Sequence, residues 1–273
     1  MTVLQEHFLL SNGVQLPKVG FGTWQITDAQ EAYDATALAL ASGYRHIDTA
    51  RVYDNEESVG RAIRDSVIPR TDLFVATKLP AEIKDHDEAL ASFETTMDAI
   101  GLDYVDLYMI HAPWPWHAIG QDCAAGNKAV WKALETIHRS GRAKAIGVSN
   151  FNVGDLRVIL DGCSIKPMVN QIRFFIGHAQ PDVVNFCQGE GIQLTGYSPL
   201  ATGKILANSE IGAIAERYGK SVAQICIRYV LQKGVAPLPK STHAERIRQN
   251  ADVDFEISNE DVARLDGLSD LET

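Results

Sequence analysis

Eight short β-rich runs alternate with amphipathic helical stretches along nearly the whole chain, and this alternation limits the fold more than any other feature. Strands are predicted near residues 19–23, 45–49, 73–78, 105–111, 145–149, 168–172, 193–198 and 235–238. Between them, apolar residues recur at helical spacing over 28–42, 56–66, 85–100, 128–139, 153–160, 181–190, 211–218 and 222–232. Strands joined by helical crossovers pair in parallel, and eight of them close a (β/α)8 barrel. An open doubly wound sheet is the alternative, but no GxGxxG follows the first strand, which weighs against a dinucleotide fold of that kind. Ahead of the first strand, apolar runs flank Ser11-Asn12-Gly13, a hairpin signal suited to a type I′ turn. Beyond the last strand, Thr242-His243-Ala244-Glu245 has the form of a capping box, and residues 259–268 again show helical spacing. The expectation is one α/β domain spanning 1–273: a (β/α)8 TIM barrel with an N-terminal β-hairpin and two extra helices.

In such a barrel the chemistry sits at the C-terminal ends of the strands. Those ends carry a distinctive set of side chains. Gly43-Tyr44-Arg45-His46-Ile47-Asp48-Thr49-Ala50 ends a strand in an acid, and Val52-Tyr53 and Asn55-Glu56 follow. Ala76-Thr77-Lys78 and Met109-Ile110-His111 end the next two strands. Taken singly, each has a plain structural explanation: an acid that caps a turn, a packed tyrosine, a surface lysine, a core histidine. Together they suit proton donation. An ordinary tyrosine has a pKa of about 10, and a cation beside it favours the phenolate, so Lys78 should lower Tyr53 while Asp48 holds the ammonium. The long connection 112–127 after the fourth strand contains Pro113, Trp114, Pro115, Trp116 and His117; loops of that length are usually functional or disordered.

The formal net charge of −10 argues against nucleic acid or an anionic membrane as a partner. Against that background the segment Leu238-Pro239-Lys240-Ser241-Thr242-His243-Ala244-Glu245-Arg246-Ile247-Arg248-Gln249-Asn250 is unusually basic. Arg246, Gln249 and Asn250 share one helix face, and with Lys240 near a helix N-terminus they suit a phosphate. Cys123, Cys163, Cys187 and Cys226 have no metal-type spacing, so reduced thiols and no metal site are expected. The N-terminal residues lack a secretory pattern and no apolar run is long enough to span a bilayer, so a cytoplasmic protein is expected.

These motifs, with Ile146-Gly147-Val148-Ser149-Asn150-Phe151 and Leu238-Pro239-Lys240-Ser241, resemble the aldo-keto reductase family over nearly the whole chain. The short microbial type, similar to 2,5-diketo-gluconate reductases, is the nearest in pattern. The resemblance implies catalytic roles for Asp48, Tyr53, Lys78 and His111. It implies NADPH as cofactor, with the 2′-phosphate and adenine held by Lys240, Ser241, Thr242, Arg246, Gln249 and Asn250. Ser149, Asn150 and Gln171 would hold the nicotinamide carboxamide and Tyr197 its ring. Ser198, Leu200 and Thr202 would strap the pyrophosphate. Thr23 would touch cofactor and Trp24 substrate, with Trp114 in the substrate wall, since Ala112 replaces the tryptophan that follows the histidine in many relatives. The implied activity is reduction of aldehydes and small ketones, including α-dicarbonyls or keto sugars, by a monomer. A nucleotide-sensing regulatory subunit on the same fold is the alternative.

Overall fold

The structure is a computed structural model that describes residues 2–269 and Leu271. The hairpin forms from β1 (His7–Leu9) and β2 (Gln15–Pro17), paired antiparallel. Its turn differs from the expected type. Leu10 N–H bonds the Val14 carbonyl and Gly13 N–H bonds that of Leu10, with Gly13 at φ +86° and Asn12 outside the left-handed region. This is a three-residue loop that ends in a left-handed glycine. Asn12 does not need to enter that region, because its side chain caps the Val14 N–H and donates to the Lys144 carbonyl.

Eight parallel strands follow: β3 (Phe21–Gly22), β4 (His46–Asp48), β5 (Phe74–Leu79), β6 (Val105–Ile110), β7 (Ala143–Ser149), β8 (Val169–Arg173), β9 (Gln193–Tyr197) and β10 (Val235–Leu238). They lie in chain order across the sheet. The first and last strands meet where Gly20 and Gly22 donate to the carbonyls of Pro237 and Pro239, both at 3.0 Å, which closes the (β/α)8 barrel. Every residue of β5 and β6 is buried, as expected of parallel strands covered on both faces.

The crossover helices are α1 (Ala29–Ala41), α2 (Glu56–Asp65), α3 (His86–Ile100), α4 (Ala124–Arg139), α5 (Val153–Leu160), α6 (Pro181–Glu190), α7 (Ser209–Tyr218) and α8 (Val222–Gln232). Their starts follow local chemistry. Asp28, Asp85 and Asn208 accept from first-turn N–H groups, and Asn152 and Ser221 form full capping boxes. Two extra helices, α9 (Ala244–Ala251) and α10 (Asn259–Asp266), follow β10. The capping box expected at Thr242 does not form. His243 is the N-cap residue of α9, and the Ser241 hydroxyl takes the His243 N–H at 3.1 Å. Helix α4 starts four residues earlier than its apolar spacing predicts, because Asp122 accepts the Ala124 N–H at 2.9 Å. The cysteines are free thiols. Among the described residues, no helix is long and apolar enough to cross a membrane.

Candidate active site

A cavity of about 1170 Å³ opens at the C-terminal end of the barrel. At its floor lies an ion pair. Lys78, with no exposed surface, places Nζ 2.6 Å from Asp48 Oδ1 and 2.8 Å from the Thr49 carbonyl oxygen. The other Asp48 oxygen accepts from Gln171 Nε2 at 2.8 Å. The third approach of Lys78 is longer, 3.5 Å to the Tyr53 hydroxyl. The register explains the grouping: Asp48 is opposite Ala76, so Lys78 on the next strand lies one inward position further toward the rim.

Tyr53 ends a 3-10 turn (Arg51–Tyr53) that is fastened from behind. Asn55 donates to the carbonyls of Thr23 and Ile26 and accepts from the Thr49 hydroxyl, so one side chain ties together the loops after β3 and β4. Glu56 anchors the next residue by accepting from the Thr77 hydroxyl at 2.5 Å. The His111 ring stands edge-on to Tyr53 at 5.6 Å and to Trp116 at 5.4 Å.

The electrostatics correct one expectation. Burial and the Asp48 carboxylate push the Tyr53 phenol well above its ordinary value instead of lowering it. Desolvation of the phenolate is the larger cause, and the nearby Asp48 charge adds to it. Burial also draws Lys78 itself downward, against the pull of Asp48 and Glu56. Burial, reinforced by the Lys78 ammonium, holds His111 well below the usual imidazole range, so it is neutral at pH 7. The site therefore holds a protonated phenol, a neutral imidazole and a paired ammonium side by side.

Further up the wall, the Tyr197 hydroxyl donates to Asn150 Oδ1 at 2.7 Å, and Asn150 Nδ2 donates to the His111 carbonyl at 2.9 Å and to Ser149 Oγ at 3.1 Å. Asn150 has a left-handed backbone at φ +62°, as do Ser198, Ala201 and Thr202 in the segment after β9. Conformations of that kind turn backbone N–H groups toward a common point. Ser198, Leu200 and Thr202 line the cavity there. At its far end Lys240, Ser241, Thr242, Arg246, Gln249 and Asn250 line it together. Among the described residues, neither Lys240 nor Arg246 has a carboxylate within ion-pair distance, although the chain is acidic.

Two expected residues lie elsewhere. Thr23 is fully buried and spends its hydroxyl on the Asp48 carbonyl, leaving Gly22 and Trp24 to line the cavity. Trp114 does not line it either. It packs edge-on against Trp116 at 5.1 Å, and Trp116 is the ring that reaches both the cavity and His111. Sequence reasoning missed Val52, Arg173 and Ser221-Val222-Ala223, all of which line the cavity. Arg173 ends β8 and so satisfied the strand-end rule; the others signalled only through neighbours, Val52 beside Tyr53 and Ser221 in a capping box.

A family profile described as the Aldo/keto reductase family matches residues 18–270. The chain belongs to the aldo/keto reductase family. Glyoxal reductase of Bacillus subtilis is 42% identical over 269 residues, covering 98% of this chain and 94% of its own. An aldo/keto reductase structure from Brucella melitensis superposes with a TM-score of 0.89 at 37% identity, covering 95% of this chain and 98% of that one. A Bombyx mori aldo-keto reductase in complex with NADP gives 0.86 at 33% identity, covering 95% and 91%. The family, with its small carbonyl substrates, makes this aldo/keto reductase an oxidoreductase of the short microbial kind, and the barrel is the family's.

Proposed function

We propose that this enzyme reduces aldehydes and small ketones, including α-dicarbonyls or keto sugars, with NADPH, and that Tyr53 gives the proton. The observation that carries the reading is a single cavity with the Asp48–Lys78–Tyr53–His111 cluster at its floor and two uncompensated cations, Lys240 and Arg246, at its far end. A positive end in a chain of net charge −10 suits a 2′-phosphate and would favour NADPH over NADH.

NADPH, when bound, supplies the hydride. Lys240, Ser241, Thr242, Arg246, Gln249 and Asn250 would hold its adenosine phosphate end, and Ser198, Leu200 and Thr202 its pyrophosphate. Ser149, Asn150 and Gln171 would hold the carboxamide beside the Tyr197 ring. Gln171 has committed its amide N–H to Asp48, so its amide oxygen is the atom that accepts. Tyr53 donates its proton to the substrate oxygen as the carbonyl carbon is reduced. Its high pKa keeps that proton in place beforehand, and Lys78, 3.5 Å away, stabilises the phenolate that results. Neutral His111 orients the same oxygen by a hydrogen bond. Trp24, Val52 and Trp116 give the mouth an exposed apolar rim that suits an aldehyde with an apolar or aromatic body, while the glyoxal reductase relative supports α-dicarbonyls.

Loss of NADPH absorbance with methylglyoxal, an aromatic aldehyde, an aldose and a diketo sugar acid tests the reading, with NADH run in parallel. Turnover preferring NADPH supports it. Tight NADPH binding with no turnover of any carbonyl would move the protein to the nucleotide-sensing alternative.

A further inference from the structure

The segment between β5 and α3 carries no assigned role, yet it grips the loop that follows β6 at three places. Lys84 Nζ donates to the Ala112 carbonyl at 3.0 Å and to Asn127 Oδ1 at 2.9 Å, spanning the two ends of the loop. Buried Asn127 completes the ring by donating Nδ2 to the Pro113 carbonyl at 2.8 Å. Glu82, from the same segment, accepts the Trp116 backbone N–H at 3.2 Å. The approach is tight. A Cβ on Gly126 would stand 2.7 Å from the Lys84 Cβ, so the first turn of α4 reaches Lys84 only because residue 126 has no side chain.

We propose that Lys84 is a specificity-determining positioning residue: it clasps both ends of the 112–127 segment and thereby sets Trp116 as the substrate-side wall against His111. Lys84 touches neither His111 nor the cavity and acts through the loop alone. The loop has few other means of holding its shape. Between Pro113 and Asp122 it makes two backbone hydrogen bonds of its own, Ala118 to Pro115 and Gln121 to Ala118. The indole of Trp116 is steadied from the side by Trp114, at an interplanar angle of 79°. With Lys84 removed, the Asn127–Pro113 bond remains but the tie from Ala112 to Asn127 is lost, and the loosened loop no longer fixes the geometry of the indole pair. Substrates large enough to lean on Trp116 then bind more weakly, whereas a three-carbon dicarbonyl offers the indole little surface.

This inference rests on the proposed carbonyl reduction for its kinetic arm, and a spectroscopic arm keeps the two separable. Indole rings at 5.1 Å and nearly perpendicular give an exciton couplet in circular dichroism, and the Trp114→Phe variant supplies the reference without it. Lys84→Met should lose the couplet and raise KM for an aromatic aldehyde about tenfold, the loss of roughly one charge-assisted hydrogen bond's free energy. Its kcat, and its KM for methylglyoxal, should stay within about twofold of the wild type on the same reasoning. Lys84→Arg keeps donors for both oxygens and should recover the couplet and most of the KM. A Lys84→Met variant that keeps either the wild-type couplet or the wild-type KM for the aromatic aldehyde overturns the proposal. If the wild-type chain reduces no carbonyl, the proposed reaction falls, and the couplet alone still decides whether Lys84 holds the indole pair.

Discussion

The barrel carries a buried aspartate ion pair near each end, and the two are built differently. At the N-terminal end, Asp106 accepts from Arg70 at 2.6 Å and from the Val75 N–H at 2.9 Å, with Lys144 3.4 Å from its other oxygen. Arg70 also donates to the carbonyls of Leu73 and Tyr104, and both cations lie over the Tyr104 ring. The Val75 N–H and the terminal nitrogens of Arg70 have short partners there, while the buried Arg70 Nε has none. At the C-terminal end, Asp48 and Lys78 are as closely paired, but Lys78 keeps one long approach to a phenol that lines an open cavity. Around Asp106 both cations are spent on a carboxylate and a ring, which suits a role in the fold, whereas the long approach of Lys78 to a cavity-lining phenol suits the proposed chemistry.

The sharpest way to break the comparison is to strip one function from each end. Tyr53→Phe should lower kcat by roughly 10²–10⁴-fold, the usual range for a positioned acid, with NADPH affinity and melting temperature unchanged. Steady-state kinetics and a thermal melt check both, and normal turnover would remove Tyr53 as the proton donor. Asp106→Ala should do the reverse. Leaving Arg70 without its carboxylate should cost about 3 kcal/mol of stability, read by chemical denaturation, while kcat of the folded fraction holds.

At the far end of the cavity, Arg246→Ala should weaken NADPH about tenfold, as expected for one charge-assisted contact, and leave NADH nearly untouched. Equal weakening of both nucleotides in a titration would argue against recognition of a 2′-phosphate.

The smallest effect concerns Glu56, which burial raises from about 4.5 to about 7 against the pull of its Thr77 hydrogen bond and Arg51. The folded chain holds that proton more tightly than the unfolded one. The contribution to stability is thus complete below pH 4.5 and is lost as pH rises through 7. Glu56→Gln should flatten this part of the profile of melting temperature against pH. An unchanged slope between those values would show that Glu56 ionises freely in the fold.

Much of this was legible in the sequence, for reasons that can be named. The strands were readable because a parallel strand covered on both faces, such as Phe74–Leu79, is apolar at nearly every position. The acid, phenol, lysine and histidine were readable because strand ends place side chains at one rim. What escaped depends on tertiary contacts. Trp114 and Trp116 are two residues apart in a loop, and only the fold decides which ring faces His111. The start of α4 lies where Lys84 and Asp122 fix it, outside its own apolar spacing. The direction of the Tyr53 shift followed from how deeply the phenol is buried and how near Asp48 stands, which residue types do not encode.

The seam that joins Gly20 and Gly22 to Pro237 and Pro239 unites the opposite ends of the sequence. During synthesis, β3 emerges early and must wait for β10 with its edge unpaired, the state in which strands recruit other chains. The last strand runs directly into Lys240, so the bond that covers this edge also brings the basic end of the cavity into place. A chain that has not closed its barrel is therefore both the sticky form and the form without the proposed phosphate grip. A dinucleotide that engages that grip would select for the closed ring and shield newly made molecules from their neighbours.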